Sequence, residues 1–178
     1  AVYKSCLFLC AGSVQERTGE TELDRLGGLA RGMPLAFICC SVAALAISGV
    51  PPLNGFVSKW LVYQGALEST SRLAPFVLVA AVFGSALTLA SFVKVVYSSF
   101  WGAPPEGLTV RPAHGGWLSG IPMVVLAVLC VVLGLWAGTV VSYIGGLVGS
   151  ELGTEVTGLA QPLNYATGLW SPGAATAL

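Results

Sequence analysis

The 178-residue sequence predicts an all-α fold: a polytopic membrane helix bundle with one discontinuous transmembrane helix. Three observations predict it. Hydrophobic residues make up 55 % of the chain and charged residues 9 %, with a mean hydropathy of +0.82; a soluble domain carries about 25 % charged residues. The apolar residues fall into four runs separated by polar or Gly/Pro-rich segments. The second run is too long for one straight span and holds two adjacent prolines in its middle. Basic and acidic residues balance at eight each, which excludes the basic surface of a nucleic-acid binder. Disorder is excluded too, since it needs low hydrophobicity and high net charge.

The first run, residues 1–14, starts at once with Ala-Val-Tyr-Lys. It has no basic segment and no small-residue cleavage site, so a secretory signal is not expected. It is shorter than the roughly 20 residues a span needs, and it reads as the end of a helix cut from a longer protein. The polar stretch 15–33 follows. There Thr21-Glu22-Leu23-Asp24 is expected to cap a short interfacial helix with Leu23, Leu26 and Leu29 as its apolar stripe.

The second run spans residues 34–67, with Pro34 suited to a first helical turn. As one helix it would reach about 51 Å, against a hydrocarbon core about 30 Å thick. The segment Ser48-Gly49-Val50-Pro51-Pro52-Leu53-Asn54-Gly55 supplies the remedy. Pro51 and Pro52 remove two backbone donors and push Val50 away from helical geometry. Gly49 and Gly55 tolerate unusual angles beside them. A break over 49–55 is therefore expected near mid-membrane, with a half-helix on each side. The third helix is expected over 75–101 and the fourth over 121–148, with a Gly/Pro-rich loop, 102–120, between them. The tail, 149–178, shows no clear period; Tyr165 and Trp170 suit an interface.

Loops 15–33 and 102–120 carry Arg17, Arg25, Arg31 and Arg111, whereas the other side has only Arg72. That asymmetry predicts that both loops are cytoplasmic and that the tail lies on the opposite side of the plasma membrane.

The three lysines, Lys4, Lys59 and Lys94, are the only formal charges inside the apolar runs. A charge at the bilayer centre costs upward of about 2.5 kcal/mol, so each needs a reason. Lys59 stands four residues past Gly55, in the first turns of the second half-helix. Desolvation disfavours its ammonium form, and so does the positive end of the half-helix dipole. The carbonyl end of the first half-helix, near Gly49, offers the charged form a resting place. An amine so placed suits a proton relay; the plainer reading pairs it with an acid on another helix. Lys4 lies roughly 15 Å from the start of the polar stretch on helical rise, again near mid-membrane, with Tyr3, Ser5 and Ser13 around it. Lys94 is seven or eight residues from the end of its run, within reach of the interface, so relay and anchor are both open to it.

Cys6, Cys10, Cys39, Cys40 and Cys130 all lie in apolar runs and read as small packing residues; their odd number argues against a disulfide framework. Ala43, Ala44, Ala46, Gly84, Ala86, Gly134 and Gly138 are candidates for close helix approach. Tyr97, Phe100, Trp101 and Trp117 read as an aromatic belt. His114 reads as a solvated loop residue. No phosphate-cradling loop, nucleophile elbow or metal-ligand cluster occurs in the sequence, so no cofactor, metal site or self-contained catalysis is expected.

Three stretches carry a family resemblance: AVYKSCLFLCAGSV, LDRLGGLARGMPLAFICCSVAALAISGVPPLNGFVSKWLVYQG and TLASFVKVVYSSFWGAPP. Together they resemble the antiporter-like, proton-conducting subunits of complex I, of Mrp-type cation/proton antiporters and of membrane-bound hydrogenases. PPLNGFVSKW with SFVKVVYSSFWG looks nearest to the hydrogenase and formate-hydrogenlyase branch. The resemblance implies a subunit of fourteen helices in two inverted five-helix repeats, of which this chain holds the last four. It implies that Lys4 is the lysine of the central hydrophilic axis. Lys59 would be the terminal lysine or glutamate of the second broken helix, and Lys94 a basic position near a helix end. The histidine that often precedes the position of Ala1, and the first broken helix with its lysine and glutamate, are not in this sequence, so this piece alone builds no complete channel.

The function these readings imply is proton translocation in the membrane arm of a redox-driven ion pump, an NADH dehydrogenase-like or hydrogenase complex. The chain would not be catalytic alone. Its partners would be other membrane subunits, a peripheral redox module and the lipid bilayer. Two alternatives stand beside it. One is an Mrp-type sodium/proton antiporter subunit, with Asn54, Ser48, Ser58 and the carbonyls of residues 47–51 as oxygen ligands. The other is a structural membrane subunit whose lysines pair with partner helices.

Overall fold

The computed structural model describes residues 1–68, 72–104, 116–141 and 143. The described residues are helical, with no strand among them. The elements are α1 (Val2–Thr18), α2 (Leu29–Gly32), α3 (Pro34–Ser48), α4 (Asn54–Glu68), α5 (Ala74–Val96) and α6 (Gly116–Leu135). A π turn, Tyr97–Trp101, extends α5. Ala74–Trp101 is long and apolar enough to cross a membrane; Pro34–Ser48 and Gly120–Leu135 are apolar but shorter. The expected tail 149–178, with Tyr165 and Trp170, lies outside the described residues, as do Arg111, His114, 144–148 and the Trp117 side chain.

The hub is α3, which packs against α1, α4, α5 and α6. Its buried side chains are small: Ala36, Cys39, Cys40, Ala43, Ala44 and Ala46. Small side chains let helix backbones approach closely, the main route to helix association where hydrophobic burial offers little. Cys6 and Cys10 of α1 and Met123 and Ala127 of α6 close over them in one core cluster. Ala46, Leu53 and Cys130 form a second cluster at the other end of α3. All five cysteines are buried free thiols.

The break expected over 49–55 is shorter, because Asn54 and Gly55 already belong to α4, and the helix expected over 121–148 ends at Leu135, with Trp136 in a turn. Four more expectations need correction. The stripe Leu23, Leu26 and Leu29 does not lie on one short helix. A single 3-10 turn, Leu23–Arg25, precedes extended backbone at Leu26, and α2 begins only at Leu29 after the left-handed Gly28. Gly27 and Gly28 interrupt the helical period, and Gly27 packs backbone to backbone against Ala103. Second, α1 runs on to Thr18, past the apolar run, so Glu16 and Arg17 are helical rather than in a loop. Arg17 in the last turn complements the negative end of the helix dipole. Third, residues 116–120 are helical, not loop. Gly120 is buried against Leu35, and a backbone in apolar surroundings must satisfy its own hydrogen bonds. Fourth, Phe100 is not part of a belt. The π turn rotates it into the core, 2 % exposed and with its ring 5.4 Å from that of Phe37, while Tyr97 and Trp101 stay outside. Of the small residues singled out for close approach, Gly84 faces open space.

Candidate functional site

The site is built on the interval between α3 and α4. Helix α3 stops at Ser48 with Gly49 left-handed at φ 81°. The Gly49 N–H donates to the Ala46 carbonyl and the Val50 N–H to the Leu45 carbonyl, both at 3.1 Å. This is the paired capping of a Schellman motif, and a Cβ at such a φ would be strained. The chain then turns through Pro51 and Pro52, which supply no donors, and α4 starts at Asn54. Two further glycines set how closely the turn is held. A Cβ on Gly55 would overlap the Ala46 carbonyl oxygen, and one on Gly134 of α6 would overlap the Pro52 carbonyl. The start of α4 is thus pressed on the end of α3, with α6 closing over the turn.

Capping consumes the Leu45 and Ala46 carbonyls and leaves that of Ser48 without a backbone donor in this motif. Lys59 takes it: Nζ donates to the Ser48 carbonyl at 2.8 Å. The Ser48 hydroxyl is occupied elsewhere, donating to the Ala44 carbonyl at 2.7 Å. A cation at a helix C-terminus is favoured by the helix dipole, and a charge-assisted hydrogen bond is roughly twice as strong as a neutral one. The Lys59 stem crosses Gly49 so closely that a Cβ there would lie 2.7 Å from its Cδ. Asn54, at the start of α4, buries its Oδ1 with no donor among the described residues. Ser58, another candidate oxygen ligand, donates to the Gly55 carbonyl at 3.1 Å.

The other lysines stand elsewhere. Lys4 is exposed on α1 and lines an open, mainly apolar cavity of about 600 Å³ shared with Phe8, Cys10, Glu20, Phe92 and Phe100. Lys94 is exposed near the end of α5, just before the π turn. Among the described residues, none of the three lysines pairs with an acid. Of the three, only Lys59 is joined to the break; α1 and α4, which carry Lys4 and Lys59, both pack on α3 and α6. Sequence reasoning did not find the hydroxyl pair Tyr63 and Ser85, which links α4 to α5. Its one sequence signal is that Tyr63 follows Lys59 by four residues, on the same helix face.

Helix α3 ends at Ser48, α4 begins at Asn54, and the Lys59 amine sits on the Ser48 carbonyl between them in a largely apolar helical bundle; the class, a membrane subunit of the antiporter-like kind, follows from its relatives. Residues 1–88 match the family described as NADH:quinone oxidoreductase/Mrp antiporter, TM. The chain is 32 % identical over 170 residues to formate hydrogenlyase subunit 3 of Escherichia coli (strain K12), covering 92 % of this chain and 28 % of that protein. It is 33 % identical over 146 residues to Na(+)/H(+) antiporter subunit A1 of Staphylococcus aureus (strain JH9), covering 78 % of this chain and 18 % of that protein. A chain in the structure of the Mrp complex from Dietzia sp. DQ12-45-1b superposes with a TM-score of 0.61 at 25 % identity, covering 89 % of this chain and 34 % of that one. The chain belongs, through residues 1–88, to the NADH:quinone oxidoreductase/Mrp antiporter transmembrane family, and it spans 18–28 % of the length of the curated relatives it matches.

Proposed function

We propose that this chain carries protons through the membrane arm of a redox-driven ion pump, by a relay in which Lys4 passes a proton toward Lys59 and Lys59 releases it on the far side. Lys94 serves at the end of the third span. The pump is of the NADH:quinone oxidoreductase or membrane-bound hydrogenase kind, and a peripheral redox module supplies the energy. Four transmembrane helices lie within residues 1–148, the second broken between Ser48 and Asn54. The connections after α1 and before α6 are cytoplasmic and the tail lies opposite.

The observation that carries this reading is the Lys59 ammonium on the Ser48 carbonyl, in the gap between α3 and α4. A helix interrupted inside a membrane exposes backbone groups that bind ions. An amine resting there, with no acid paired to it among the described residues, holds a proton it can give up. In the full-length protein, Lys59→Ala is expected to abolish coupled proton transport in vesicles while membrane insertion persists; wild-type pumping by that variant refutes the role.

The buried Asn54 Oδ1 favours a second reading, a sodium/proton antiporter of the Mrp kind, since sodium needs oxygen ligands and this one takes no donor among the described residues. Transport that requires sodium in the same vesicles would select it.

A further inference from the structure

Beyond Lys59, helix α4 continues toward Glu68 and meets α5 side by side. Lys59 and Tyr63 are four residues apart on α4, about 6 Å of rise and about 40° around the axis, so both leave nearly the same face. The Tyr63 hydroxyl hydrogen-bonds Ser85 Oγ across the α4–α5 contact, with both side chains partly buried. Ser85 donates its one proton to the Ala81 carbonyl at 2.9 Å. A hydroxyl has a single proton to give, so Tyr63 is the donor of the pair. The O–H bonds therefore run in series, Tyr63 to Ser85 to Ala81, and Ala81 lies a turn nearer the Ala74 start of α5 than Ser85 does. One residue after Tyr63, Gln64 buries an Oε1 that accepts no hydrogen bond from any described residue. Buried amide oxygens of this kind are commonly satisfied by water.

We propose that Tyr63 and Ser85 are the next station of the relay, taking the proton from Lys59 and passing it toward the 68–74 end of the α4–α5 pair. This rests on the lysine reading above. The amine leaves the Ser48 carbonyl and turns along α4 to Tyr63. An Nζ–H bond breaks as a bond to the Tyr63 hydroxyl oxygen forms. The proton Tyr63 held moves to Ser85 Oγ, and the proton Ser85 held moves to water. Lys59 is left neutral, each hydroxyl again holds one proton, and rotation of the two O–H bonds resets the chain.

The test uses the full-length subunit in its complex, reconstituted in vesicles, with a pH-sensitive dye reading transport and a native gel reading assembly. Tyr63→Phe keeps the ring and removes the hydroxyl. It is expected to slow transport on the order of 100-fold, the low end for a positioned proton-transfer group, and to raise the solvent deuterium isotope effect at unchanged assembly. Ser85→Thr, which keeps the hydroxyl, is expected to retain wild-type transport, and Ser85→Ala to lose it as Tyr63→Phe does. Wild-type transport in Tyr63→Phe with Lys59→Ala inactive overturns this station and leaves the lysine reading standing. Equal losses in Ser85→Thr and Ser85→Ala make the pair a packing contact and overturn it too. Wild-type transport in Lys59→Ala overturns both.

Discussion

Two stretches of comparable length cross the bundle in opposite ways. Residues 34–68 are divided into α3 and α4, with their junction pressed between backbones. Residues 74–101 run as α5 and its π turn without a gap, and expose much of their apolar surface, including Phe76 at 73 % and Phe83 at 63 %. The divided stretch holds the amine on a peptide carbonyl and the buried Asn54 oxygen; the continuous one holds Lys94 at its edge. Where a helix is interrupted, a side chain can satisfy a carbonyl the helix no longer serves, whereas Ser85 and Thr88 inside the continuous helix donate to carbonyls of their own preceding turn. That difference says where substitutions should hurt.

The largest effect expected in stability is at Gly55. Gly55→Val drives a side chain into the Ala46 carbonyl, forces α4 off the end of α3, and should cost roughly 3 kcal/mol or more. Thermal unfolding of the solubilised full-length protein measures it, and a variant as stable as wild type would show that the junction is loose. Gly49→Ala sharpens the comparison. It puts a Cβ at φ 81° and against the Lys59 stem, and about 1–2 kcal/mol of destabilisation is expected from the left-handed backbone and the crowding. The smallest effect belongs to the continuous helix. At Gly84 a Cβ meets nothing within 4 Å, so Gly84→Ala should leave stability unchanged or raise it by up to about 1 kcal/mol through helix propensity. A loss there as large as at Gly49 would erase the contrast between the two stretches.

The parts legible in the sequence are those where one residue acts locally. Proline removes a donor wherever it stands, so Pro51 and Pro52 announce the end of helical hydrogen bonding without any tertiary knowledge, although Asn54 and Gly55, expected in the break, already belong to α4. Composition likewise marks 75–101 as apolar, and Ala74–Trp101 is long and apolar enough to cross a membrane. What stayed hidden depends on neighbours. Phe100 looks like its exposed companions Tyr97 and Trp101, and only the extra residue of the π turn sends it inward. The glycine-rich start of α6 reads as loop until Leu35 is seen against Gly120. Tyr63 and Ser85 are 22 residues apart, and nothing but the side-by-side packing of α4 and α5 brings their hydroxyls together.

The backbone contact between Gly27 and Ala103 brings together the chain just before α2 and the chain just after the π turn. Residues 28–102 therefore leave and return at one doorway. Between those ends α4 meets the bundle through the glycine seat of α6 and through α3, whose thiol-sized contacts lead on to α1, so a displaced α4 would press first on these thin seams.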